Sequence, residues 1–203
     1  MAGLTTQAAS LATPPQVEKV LQHSFPVNRA ELQALTEALW TEYQQQQNIT
    51  SLIFYAYGTL RLAEQFTAEN DVVRAAEYAR TGFFYLDEAA ERYENDPRVR
   101  YLRARVDAFL PAASGRCVIA LDDTQFILDA AVTYQSAMLS KINYMRYRAL
   151  KNCRQFKQAA ALLTRLTQQN PSLSSVVLTS DAAPEWDSSE TTQILLPLAW
   201  GKE

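Results

Sequence analysis

Few side chains in this sequence of 203 residues stand where chemistry would need them. The one histidine, His23, falls at the end of a short expected helix, and no Ser, Cys or Asp motif nearby completes a nucleophilic triad. It reads as an exposed or capping residue. Asp87, Glu88, Glu91 and Glu94 recur at helical spacing, but a metal site or general-acid pair needs burial or a charge partner to split its pKa values. Spacing alone describes a solvated face. No phosphate-cradling glycine loop and no HExxH occurs. Cys117 and Cys153 are far apart, without a CxxC, and a single histidine cannot complete the usual zinc set. They are expected to be small buried thiols, with a disulfide as the alternative in an oxidising compartment. These observations lead us to expect no enzyme, no cofactor and no metal.

The charge distribution says more. Net charge is −3, yet residues 130 to 180 hold seven bases and no acid, while the stretch before is −6 and the stretch after is −4. Within the basic segment Lys141, Arg148 and Lys151 recur at spacings of seven and three, and with Asn143, Tyr144 and Asn152 they form one candidate surface for a carboxylate or an acidic peptide. The competing reading has these charges solvated, or neutralised by the chain's own acids Asp181, Glu185, Asp187 and Glu190. Tyr144 and Tyr147 interleave with the bases as stacking residues do, but the overall charge and the lack of a motif disfavour nucleic acid. A second candidate surface is aromatic: Tyr55, Tyr57, Phe83, Phe84 and Tyr85 exceed what one core stripe needs, and Tyr55 and Phe84 are expected to grip an apolar peptide.

The elements that must position these residues are helices, because five glycines are too few for an all-β fold. Residues 1–13 read as a flexible leader. Pro14 and Pro15 begin a short helix, and Asn28 caps one in which Leu32, Leu35, Leu39 and Tyr43 share a face. Residues 49 to 66 are apolar on more than one face. From Val72, the stripe Ala75, Ala79, Gly82, Leu86, Ala89 and Tyr93 has a helical period, and Gly82 is expected to let another backbone approach. Pro97 starts the next helix and residues 111 to 116 break the chain. Asp122 or Asp123 is expected to cap a helix continuing to residue 139, after an ambiguous stretch at 117 to 121. A final pair turns near Arg154, and in its second helix Phe156, Ala159, Ala160, Leu163 and Leu166 are expected to share a face. Residues 173–203 read as an acidic, Ser-rich tail.

The ends "RYENDPRV" and "RLTQQNPSL" match, each a helix closing on polar residues and a proline, and Pro97 and Pro171 are separated by about two ~34-residue units. In this the chain resembles the tetratricopeptide helical repeats over roughly residues 50 to 172. The last unit matches best, with Phe156 at its turn, Ala159 at the small crossing position, and Leu163, Leu166 and Pro171 following. It departs where Arg154 replaces a turn glycine and Tyr147 a small residue. The resemblance implies an all-α fold of about eight helices, paired as hairpins in a short right-handed solenoid across residues 14–172. It implies a non-catalytic scaffold or chaperone-like adaptor whose first helices hold a partner peptide through Lys, Arg and Asn. The alternative is a helical domain binding a small ligand or nucleic acid. The N-terminal stretch lacks a basic and apolar signal pattern, so the expectation is cytoplasmic; a periplasmic or secreted protein stripped of its signal reads the same.

Overall fold

Four short polar side chains set the starts of four helices in the computed structural model of the chain, which describes residues 13–130, 132–169, 183 and 185–201. Asn28 accepts from the Glu31 amide, Asn48 from Thr50 and Ser51, Asp71 from Arg74 and Asp96 from Arg98, each satisfying amides that a helix start leaves without partners. They open α2 (Arg29–Gln46), α3 (Ile49–Ala68), α4 (Val72–Arg92) and α5 (Pro97–Asp107). Before them, α1 (Pro15–His23) begins on a proline, and its Gln16 and Val17 amides donate to the buried Glu42 carboxylate of α2. After a 3₁₀ turn at Ala112–Ser114 follow α6 (Cys117–Asp129), α7 (Ser136–Asn152) and α8 (Phe156–Gln169). A last helical segment, α9, runs from Ser188–Glu190 through a π turn at Thr191–Leu195 into Leu196–Ala199. The fold is all-α, with no strand among the described residues.

Packing follows chain order: α2 on α3, α3 on α4, α5 on α6, α6 on α7 and α7 on α8, with α4 touching α5. Gly82 of α4 takes the role expected of it, since a Cβ there would stand 3.1 Å from the Ala56 carbonyl oxygen of α3 and 2.6 Å from Leu60 Cγ. Its stripe is buried at Ala75, Leu86 and Ala89, whereas Val72 and Tyr93 at the two ends are exposed. No helix among the described residues is long and apolar enough to cross a membrane.

Several expectations are corrected. α6 begins at Cys117 and ends at Asp129, so the ambiguous stretch is helical and neither Asp122 nor Asp123 is its cap; the Asp123 carboxylate is buried against Arg103. Cys117 and Cys153 are bonded rather than free, because antiparallel packing of α6 on α7 brings the start of one helix to the end of the other. On α8 the buried face is Ala159, Leu162 and Leu166, while Phe156 is 63% exposed. Most consequentially, residues 187–200 are no loose tail. Ile194, Leu195, Leu198 and Ala199 join the main core, and α9 lies across α3, α5 and α7. Residues 1–12 of the expected leader, the acid Asp181 and Pro171 lie outside the described residues.

Candidate functional site

The helix α5 has an arginine-rich sequence, "PRVRYLRARVD", yet Tyr101, Arg103, Arg105 and Asp107 are all buried, so its cations must find acids. They do so on two sides. Toward α4 and α6, Arg103 donates to both oxygens of Asp123 (2.8 and 2.9 Å) and lies 3.3 Å from Asp87, while Arg116 reaches Asp87 and Asp107. Burial pushes the Asp107 carboxyl up to about 6, against the pull of Arg116. Asp87, expected on a solvated face, is thus part of an ionic network.

On the other side, Tyr101 and Arg105 face α9. Glu190, 1% exposed, accepts on a single oxygen from the Tyr101 hydroxyl and Arg105 Nε, both at 2.8 Å. Its second oxygen accepts from the Asp187 amide at 3.2 Å and lies 3.8 Å from Lys141 Nζ, which is 2.7 Å from Asp187. Asp187 and Glu190 form a reciprocal capping box, so the residues that start α9 also dock it. Burial raises the Tyr101 phenol well above its usual range, and Glu190 beside it adds to the effect, so the hydroxyl stays a donor. Arg105 stays charged: burial opposes it, but Tyr57 and Glu190 more than offset that.

An aromatic seat adjoins this clamp. The Arg105 guanidinium lies 3.6 Å from the centre of the Trp186 indole, and Tyr57 stacks on that indole at 5.8 Å. The Tyr57 hydroxyl donates to the Leu102 carbonyl at 2.6 Å, fixing the ring between α3 and α5. At the far end the Asn48 amide donates to the Ala199 carbonyl at 2.8 Å, and Trp200 Nε1 donates to Thr13. Asn48 therefore both caps α3 and holds α9.

The sequence-predicted residues are distributed among different tasks. Lys141 sits in the clamp with Asp187 and Glu190. Arg148 Nε donates to the Ala108 carbonyl and Asn152 to that of Leu110, so both satisfy carbonyls at the end of α5. Tyr144 meets Phe109 and stacks on Tyr147, Asn143 donates back to Leu139, and Lys151 is exposed over the Tyr147 ring. Tyr55 packs with Trp40 and Tyr85; Phe84 packs on Tyr85 and is 60% exposed. A cleft of about 760 Å³ lies at the α4–α5 turn, bordered by Tyr93, Arg98 and Tyr134 and by Gln193 and Pro197 of α9.

Sequence reasoning missed Tyr101, Arg105 and Trp186. The available signal was the density of arginines in α5, more than one exposed face accommodates. Chemically the arrangement binds a carboxylate and an indole; it presents no nucleophile, and no group of metal-ligating side chains occurs among the described residues. No known protein family, no curated protein and no solved structure matches the chain.

Proposed function

We propose that the protein is a non-catalytic interaction scaffold, and that its docking surface is the face shared by α3, α5 and α7. The observation that carries this reading is the buried Glu190 in the grip of Tyr101, Arg105 and Lys141. A charged clamp that fixes one glutamate, beside a seat for one indole, is a recognition device for an acidic amphipathic helix. The tetratricopeptide-like reading, with short helices packed in chain order and an acceptor face across alternate helices, agrees with this role. The Cys117–Cys153 bond supports the periplasmic or secreted alternative over the cytoplasm, since disulfides persist in oxidising compartments.

The test uses the full chain with Glu190→Arg, which turns α9 away from the clamp, and a labelled peptide spanning residues 183–203. Saturable binding that weakens with salt and is abolished by adding Arg105→Ala, which removes the clamp without giving the chain's own α9 an acid to pair with, supports docking. Equal binding with and without Arg105→Ala contradicts it.

A further inference from the structure

We infer that the cleft at the α4–α5 turn is a binding site for a neutral sugar, recognised through two buried donors on its floor and a rim of carboxylates. The site is separate from the clamp and does not rest on the docking reading above.

Two polar groups carry the inference. Among the described residues the Tyr134 hydroxyl and Gln193 Nε2 are buried and meet no hydrogen-bond partner, a costly state for a donor shut away from water. Both residues line the same cleft of about 760 Å³, a volume in the range that holds small ligands. Tyr134 is 6% exposed. Burial pushes its phenol up to about 12, with Asp96 adding and Arg98 opposing; those two residues also line the cleft, so the polar end of the ring faces it as a neutral hydroxyl. Gln193 is fixed by its other amide atom: Oε1 accepts from the Gln135 amide at 3.1 Å, which leaves Nε2 as a donor only.

The rest of the lining selects the ligand. Arg98 is tied to Asp96 by two bonds of 2.9 and 2.7 Å, and Arg92 to Glu88, so the guanidiniums of the cleft are already neutralised. At the rim Glu91 and Glu94 are exposed carboxylates. An anion would meet these acids, and an ammonium, which has no acceptor, would leave Tyr134 and Gln193 unpaired. A sugar hydroxyl both accepts and donates, so one molecule can satisfy the floor and the rim. The exposed Val132, the Tyr93 ring and Pro197 of α9 supply apolar surface for the C–H faces of a sugar ring.

The test titrates the full chain with glucose, galactose, mannose and N-acetylglucosamine, and with glucuronate and spermidine as the anionic and cationic comparisons, following the Gln193 side-chain amide signal by NMR. Saturable binding of at least one neutral sugar, with that signal shifting, is expected; glucuronate and spermidine are expected not to compete. Tyr134→Phe and Gln193→Glu, the latter keeping the oxygen that accepts from Gln135, should each weaken the sugar about tenfold. Without sugar, Tyr134→Phe should melt at the temperature of the unmodified chain, because its hydroxyl has no bond to lose among the described residues. No saturable binding of any neutral sugar overturns the inference, as does tighter binding of glucuronate or spermidine. So does binding that both variants leave unchanged, or a lower melting temperature for Tyr134→Phe, since the hydroxyl would then have a structural partner.

Discussion

Replacing Glu190 by alanine removes the one oxygen on which Tyr101 and Arg105 converge, together with half of the capping box that starts α9. Both donors are buried, so the loss is not made good by water: breaking a buried charge pair typically costs 3–5 kcal/mol, and a lost cap adds about 1. We therefore expect the alanine variant to be less stable by about 5 kcal/mol. Glu190→Gln is the informative companion. It retains a carbonyl oxygen where both hydrogen bonds end, and loses the charge assistance, the Lys141 attraction and the acceptor for the Asp187 amide. Its cost is about 2 kcal/mol. Equilibrium urea unfolding, followed by ellipticity and by tryptophan emission, measures both, because Trp186 sits against Arg105 and reports release of α9 directly. An alanine variant within 1 kcal/mol of the unmodified chain would refute the clamp. Equal losses for Ala and Gln would mean that shape, not charge, holds α9.

Further expectations follow from other parts of the fold. Reducing the Cys117–Cys153 bond, which closes a loop with a sequence separation of 36, should cost about 4 kcal/mol and lower the melting temperature by about 10 °C, read by calorimetry with and without reductant. Gly82→Ala gains about 1 kcal/mol of helix propensity but forces a Cβ against Leu60 and the Ala56 carbonyl; a net loss of about 1 kcal/mol is expected, and a raised melting point would show that α3 yields. Arg154 has φ near 60° at the α7–α8 turn, so Arg154→Gly should stabilise by about 1 kcal/mol in urea titration. Acid should loosen α9. Burial works against the Asp187 charge, but Lys141 and the Ser189 and Glu190 donors outweigh it and hold the carboxyl at about 2. Its stabilising contribution is thus complete above about pH 4 and lost as pH falls toward 2; because the group is half exposed, screening limits the effect to about 1 kcal/mol. Tryptophan emission across that window checks it.

What could be read in the sequence was what is local. Asn28 as a cap, the burial of Leu32 and Leu39, and Gly82 as a point of close approach all follow from residues within one or two turns. The start of α6 was not legible, because Asp123, a good cap by type, is claimed by arginines on α5 that no local pattern connects to it. The role of α9 was hidden by the acidic, Ser-rich composition of residues 173–203, which reads as a tail, and the proline within it, Pro197, does not interrupt the helix. In the fold it falls in the first turn after the π turn, where its missing N–H costs little. The clamp joins residues separated by 85 and 89 positions, a distance across which sequence patterns carry no information about pairing. The basic segment is conspicuous in the sequence, but whether its charges meet the chain's own groups or another's depends on where α5 and α9 lie.

Whether α9 is an occupant of the α3–α5–α7 face or an inseparable part of the core is decided most directly by native-state hydrogen exchange on the unmodified chain. The docking account predicts that amides of residues 188–199 exchange through an opening that leaves α3, α5 and α7 protected, at a free energy several kcal/mol below global unfolding. Exchange of those amides only together with α3, α5 and α7, at the global free energy, would contradict it.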